Sequence, residues 1–200
     1  MYGEPAHKFV TEHLSNPAGK ILLDIGCGTG DEATEYERIG FAAVHGIDQS
    51  QQMVERTKAA VAHPENFRQG VYEHIPFPDQ SLDVVVGNWS IHYVVDLDSA
   101  YRELARVLRP GGRLVLAARH PDWDAAEPDH FWKNGHEYVR GLIYGKVPAE
   151  SPVHTKDEYF SPVFYSNFEI EDLVEQSSPA AIGANSPFLL LAFSAIRKAT

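Results

Sequence analysis

The chain has 200 residues, room for one sizeable domain. Its 17 Lys and Arg against 28 Asp and Glu leave a net charge of −11, a poor start for gripping nucleic acid or an anionic membrane, while 44% hydrophobic content excludes wholesale disorder. A single cysteine, Cys27, excludes an internal disulfide framework and a zinc site built from several thiolates.

The opening MYGEPAHKFV lacks the basic start and apolar run of a secretory signal. No apolar run approaches the ~20 residues of a membrane span. The expectation is a soluble, cytoplasmic protein. Lys20–Ile25 (KILLDI) reads as a buried strand that enters a glycine turn at Gly26–Gly30. Asp31–Ile39 reads as a helix closed by Gly40, and Ala43–Ile47 as a second strand stopping at Asp48. Ser50 is the expected N-cap of a helix reaching about Ala62. Asn66–Tyr72 is a weaker strand, and Leu82–Gly87 (LDVVVG) has the β-branched run of a central parallel strand.

Asp96–Leu108 is the clearest helix: Leu97, Tyr101, Leu104 and Leu108 fall on one stripe. Pro110-Gly111-Gly112 turns the chain into a strand at Arg113–Ala118. Strand and helix have then alternated four times, the pattern of a parallel sheet covered by helices on both faces. His120–Phe168 breaks the pattern with a dense run of aromatics, prolines and histidines, read as a packed insertion or lid. Glu169–Gln176 reads as a short helix and Pro187–Ile196 as a final strand.

The chemistry starts at Asp24-Ile-Gly-Cys-Gly-Thr-Gly-Asp31. Alternate glycines after a strand let the backbone bend sharply and approach a ligand, and the next helix offers its N-terminal amides. Asp48 ends the following strand, where a carboxylate can accept hydrogen bonds from two ribose hydroxyls. Strand, glycines, helix, strand and acid in that order indicate a nucleoside site. The dinucleotide fingerprint wants glycine at position 31, where this chain has Asp31, and no G-K-[ST] follows to make a phosphate loop.

LLDIGCGTGD (Leu22–Asp31) resembles the first motif of class I S-adenosylmethionine-dependent methyltransferases. GIDQSQQMV (Gly46–Val54) is similar to their ribose-binding segment, HIPFPDQSLDVVV (His74–Val86) to their "LPFPD…FDVV" signature and ELARVLRPGGRLVL (Glu103–Leu116) to their "E…RVLRPGG" signature. The nearest resemblance is to small-molecule enzymes of the methyltransferase type 11 and 25 kind, with "LHYV" after the fourth strand and "HP" after the fifth; here these read Ile91-His92-Tyr93-Val94 and His120-Pro121. It implies a Rossmann-like, doubly wound α/β fold whose mostly parallel sheet has six or seven strands, with an aromatic-rich lid insertion after the fifth. It implies one domain, with 1–119 as the cofactor-binding half, 120–168 as the lid or substrate insertion and 169–200 as a C-terminal helix and edge strand. The short C-terminus leaves the edge strand missing, or shortened to Ser178–Gly183.

The resemblance also implies roles. Asp24, Gly26 and Gly28, with Cys27 inside the turn, would lie under the methionine part of S-adenosylmethionine. Asp48 would hold the ribose, Gln49 and Met53 would flank the adenosine, and Tyr72 and Glu73 would line the adenine. Asn88 would face the sulfonium, and the product would be S-adenosylhomocysteine. Relatives commonly carry an aspartate where this chain has Val71.

A general base is needed only for an acceptor that arrives protonated. His92 and His120 are the candidates, with Tyr93 and Tyr165 behind them, since both histidines follow carboxyl ends of parallel strands. Each also fits a structural role, capping a helix or bonding a carbonyl. His130, His136 and His154 with Asp129 and Glu137 lack helical ligand spacing, so no metal is expected. The insertion's aromatics (Trp123, Phe131, Trp132, Tyr138, Tyr159, Phe160) form either its own core or an acceptor pocket. The leading function is methyl transfer to a small molecule by a monomer or homodimer, with no nucleic-acid or membrane partner. The alternatives are a protein or nucleic-acid methyltransferase and a non-catalytic protein that binds S-adenosylmethionine or S-adenosylhomocysteine.

Overall fold

The computed structural model describes residues 4–143, 147–176 and 190–199. Strand β1 (Ile21–Ile25) pairs in parallel with β2 (Ala43–Asp48) on one side and β4 (Leu82–Asn88) on the other. β3 (Phe67–Gln69) extends the sheet beyond β2, and β5 (Leu108–Arg119) lies parallel to β4. Beyond β5, β10 (Leu190–Arg197) and then β9 (Phe168–Gln176) pair antiparallel, closing a seven-stranded sheet of order β3-β2-β1-β4-β5-β10-β9. The order reverses between β1 and β4, and open α/β sheets bind ligands at the carboxyl ends of such a switch point.

The apolar alternation of the strands feeds both faces of the sheet. Helices α1 (Glu4–Glu12) and α2 (Asp31–Ile39) cover one face, burying Phe9, Val10, Ala33 and Tyr36, with Leu14 just after α1, against Leu22, Val84, Val86 and Val115. Helix α4 (Leu97–Val107) lays the stripe of Leu97, Tyr101 and Leu104 on the other face, with Leu108 following at the start of β5. Asp96 caps it, its carboxylate accepting from the Ser99 amide at 3.0 Å. Helix α3 (Gln51–Ala60) starts at Ser50 as its spacing predicts.

The paired signatures of the sequence turn out to serve one another. Glu103 accepts from the Ile75 amide at 2.9 Å, and Arg106 donates to the carbonyls of Ile75 and Phe77 and to Asp79, each at 2.8 Å. The loop between β3 and β4 is thereby fixed to α4, and with it the approach to Tyr72 and Glu73.

Three readings change. Residues 169–176 form the outer strand β9, not a helix. The register slips at Ser194/Ala195, so β9 carries one more residue than β10 opposes, and this bulge breaks the alternation that would have marked a strand. The edge strand that seemed to lack room is therefore β9 itself; Ser178–Gly183 lie outside the described residues. The last parallel strand is longer than Arg113–Ala118, beginning at Leu108 and looping out around Gly111 before it rejoins β4.

The insertion has structure of its own. Helix α5 (Pro121–Ala126) leads to an antiparallel three-stranded sheet of β6 (His130–Lys133), β7 (His136–Ile143) and β8 (Val147–Pro152). Two short helices, α6 (Lys156–Tyr159) and α7 (Pro162–Asn167), return the chain to the main sheet. Tyr159 and Phe164 belong to the core under α4, and Trp132 is exposed. No helix among the described residues is long and apolar enough to cross a membrane.

Candidate functional site

The glycine turn after β1 is bent by residues with positive φ: Gly26 (+82°), Gly28 (+55°) and Gly30 (+86°). The amides of Gly26 and Cys27 both donate to the Ile47 carbonyl, at 2.7 and 3.1 Å, which ties the turn to β2. Beneath it, Ser90 donates to the Ile25 carbonyl at 2.7 Å, and the Tyr72 hydroxyl lies 2.7 Å from the Ser90 Oγ. Above it the backbone is open: a Cβ on Gly28 would meet nothing nearer than the Gly26 carbonyl at 4.0 Å.

Asp48 stands beside this opening. One carboxylate oxygen accepts from the Gly28 amide at 3.0 Å and the other from the Ser50 amide at 2.8 Å. Each retains a lone pair for another donor. Gln49 is exposed and Met53 half-buried at the start of α3, and Glu73 is exposed across the opening. Tyr72 is different: its ring is buried in the core, so only its backbone is available to a ligand. Cys27 is likewise buried, its Sγ 3.6 Å from the Thr57 hydroxyl, and burial pushes the thiol up to about 12. Its side chain packs the turn, and its backbone shapes it.

Asp24 lies one residue before the end of β1, and Asn88 ends the neighbouring strand β4. Asp24 is buried, and one of its carboxylate oxygens has no hydrogen-bond partner. Burial, with Glu32 and Asp48 adding negative charge, holds its carboxyl well above the usual carboxylate range. Asn88 donates to Glu32, and its own carbonyl oxygen has no partner. Glu32, in the first turn of α2, is raised by burial and also meets His7 of α1 at 3.4 Å. The place collects acids and unused acceptors, so it suits a cation bearing N–H donors. Glu32, Ser90 and Thr57 went unnoticed in the sequence; Glu32, four residues past Gly28 in the first helical turn, was the most findable.

The two candidate histidines differ. His92 sits on a single 3-10 turn, Ile91–Tyr93, and is 2% exposed, with Nδ1 lacking a hydrogen-bond partner. Burial, reinforced by Arg119 and His154, holds its pKa well below the usual histidine range, so the imidazole is neutral. His120 caps α5: Nδ1 accepts from the Asp122 amide at 3.1 Å, and Nε2 lies 3.0 Å from Glu175. Neither ring nitrogen is left to take a proton from a substrate. Tyr165 is exposed. His130 pairs with Glu137 at 2.8 Å and His154 bonds the Val94 carbonyl at 2.7 Å; among the described residues no three His, Cys, Asp or Glu side chains gather as metal ligands.

Residues 23–116 match the family described as a methyltransferase domain. The chain is 40% identical over 104 residues to a 27-O-demethylrifamycin SV methyltransferase from Amycolatopsis mediterranei, a match covering 50% of this chain and 38% of that one. It is 35% identical over 105 residues to the ubiquinone/menaquinone biosynthesis C-methyltransferase UbiE from Vibrio parahaemolyticus, covering 49% and 40%. The chain thus spans about two fifths of the length of these relatives. Solved structures match along nearly the whole chain: a Mesorhizobium loti S-adenosylmethionine-dependent methyltransferase (TM-score 0.74, 24% identity, 96% of each chain) and a putative one from Listeria monocytogenes (TM-score 0.75, 19% identity, 98% and 100%).

Proposed function

We propose that the protein, whose residues 23–116 match a methyltransferase domain, transfers a methyl group from S-adenosylmethionine to a small-molecule acceptor. The observation that carries this reading is the juxtaposition of unused acceptors on Asp24 and Asn88 with the open backbone at Gly28 and the carboxylate of Asp48. The residues fit the cofactor. Asp24 and Asn88 would accept from the methionine ammonium, and a cation there relieves the buried, acid-crowded carboxyl of Asp24. Asp48 would accept from the ribose hydroxyls, with Gln49 and Met53 beside the adenosine and the backbone of Tyr72 and Glu73 at the adenine.

When bound, S-adenosylmethionine supplies an activated methyl group whose transfer is an in-line displacement from sulfur. The chain's task is then mainly alignment and exclusion of water, which can lower the barrier by several kcal/mol. Asn88 ends β4 where it can face the sulfonium, and His92 follows in the next 3-10 turn, neutral and with Nδ1 available to hydrogen-bond an acceptor. His120 holds the insertion against β9 through Glu175. The charge of −11 favours a small acceptor over a polyanion. The test is release of S-adenosylhomocysteine on addition of a small-molecule metabolite fraction, compared with RNA and denatured protein. Turnover on the small-molecule fraction alone is expected; turnover only on RNA or protein, or none, contradicts the reading.

A further inference from the structure

Helix α1 reaches the cofactor side of the sheet through one side chain. Its residues Ala6, Phe9 and Val10 are buried in the core that α1 shares with α2, which fixes the helix on that face. His7 is thereby set over the first turns of α2. Its Nδ1 lies 3.4 Å from Glu32 Oε1 and its Nε2 lies 3.1 Å from Glu35 Oε2. With an acceptor at each nitrogen, the ring is placed to donate twice, to two carboxylates three residues apart on one helix. The His7 side chain is 38% exposed, so packing in the core does not account for its place.

Glu32 passes the contact on. The Oε1 that faces His7 also accepts from Asn88 Nδ2 at the end of β4. A side-chain amide has two unlike ends, and an ionised carboxylate can only accept. The bond therefore fixes which end of Asn88 turns to Glu32, and leaves Oδ1 as the other end. Asn88 Oδ1 is buried and has no hydrogen-bond partner. An amide turned over would present N–H donors where an acceptor is wanted for the methionine ammonium. The arrangement holds while Glu32 stays ionised. Burial pushes the Glu32 carboxyl up, and the hydrogen bonds from Asn88 and His7 act against that rise.

Resting on the methyl-transfer reading above, we propose that His7 is a positioning residue for the cofactor: through Glu32 it holds the Asn88 amide with Oδ1 toward the methionine ammonium. His7 acts through Glu32 and not on the ligand. A half-exposed pair of this kind contributes little to the stability of the fold, so its removal should be felt in binding and not in Tm.

The test compares two ligands by calorimetry. S-adenosylhomocysteine carries the ammonium; methylthioadenosine keeps the adenosine and the sulfur but lacks the amino-acid part. His7→Leu should weaken S-adenosylhomocysteine by about threefold or more and leave methylthioadenosine unchanged. The second ligand also shows that the variant is folded. Glu32→Gln, whose amide can accept or donate, should weaken S-adenosylhomocysteine by about tenfold or more. Adding His7→Leu to Glu32→Gln should cost nothing further, because the effect of His7 runs through Glu32. Equal weakening of both ligands, additive losses in the double variant, or an unchanged or tightened S-adenosylhomocysteine affinity in His7→Leu would overturn the proposal. Tightening would mark the ring as a nearby positive charge and nothing more. The wild type reports on the methyl-transfer reading separately: if it binds neither ligand, that reading falls and this proposal with it, whereas tight wild-type binding that His7→Leu leaves intact removes this proposal alone.

Discussion

Gly26 lies so close over Ser90 that a Cβ at position 26 would fall 2.3 Å from the Ser90 Cβ. Ser90 cannot retreat, because its hydroxyl is bonded to the Ile25 carbonyl and the Tyr72 hydroxyl packs against it. Gly26→Ala combines this overlap with a φ of +82° and should cost at least about 2 kcal/mol in urea unfolding, with loss of cofactor binding. Gly19→Ala is the control: φ is +77° but nothing lies within 4 Å, so about 1 kcal/mol is expected and binding should survive.

Asp48 links the glycine turn to the start of α3 through the Gly28 and Ser50 amides. Asp48→Ala should weaken S-adenosylmethionine binding by about 1–3 kcal/mol, the scale of hydrogen bonds to a charged group. Calorimetry checks it, and unchanged affinity would remove Asp48 from the ribose position.

The histidines should separate in mutants. His120→Ala removes the cap of α5 and should lower stability by roughly 0.5–2 kcal/mol. His120→Asn, which keeps a capping acceptor, should recover most of that. Turnover per folded molecule should hold in both, whereas a large fall in kcat for His120→Asn would make His120 more than a cap.

The stability contributed by the neutral His92 and His154 should fall as the pH drops below about 6.5. Burial holds His92 and His154 below the usual histidine range, so below ~6.5 the unfolded chain binds protons that the folded chain refuses. Asp124 acts in the opposite sense: its carboxyl, raised to about 6, favours the folded state as pH falls from 6 toward 4. His92→Leu isolates one contribution. Its unfolding free energy should drop by about 1 kcal/mol less than that of the wild type between pH 6.5 and 5.5. Parallel curves would mean that His92 titrates normally.

Local rules carried the sequence reading far. The glycine turn, Asp48, the Ser50 cap and the α4 stripe depend on neighbours a few residues away, and all stand where their spacing places them. What was hidden depended on partners distant in the chain. β9 resembled a helix because its bulge, set against Ser194 and Ala195, breaks the period of two. That the Tyr72 side chain is buried, leaving its backbone to the opening, was hidden because nothing nearby in sequence shows its hydroxyl beside Ser90. Arg119 of β5 meets Asp124 of α5 and Ser151 of β8, and no spacing joins them.

The most direct measurement is thermal unfolding with S-adenosylmethionine, S-adenosylhomocysteine and NAD side by side. Either adenosyl-sulfur compound at ~100 times its Kd should stabilise the protein by about 2.7 kcal/mol, and NAD should not. No stabilisation by either, or stabilisation by NAD alone, would contradict the assignment of the Asp24–Gly28–Asp48 site.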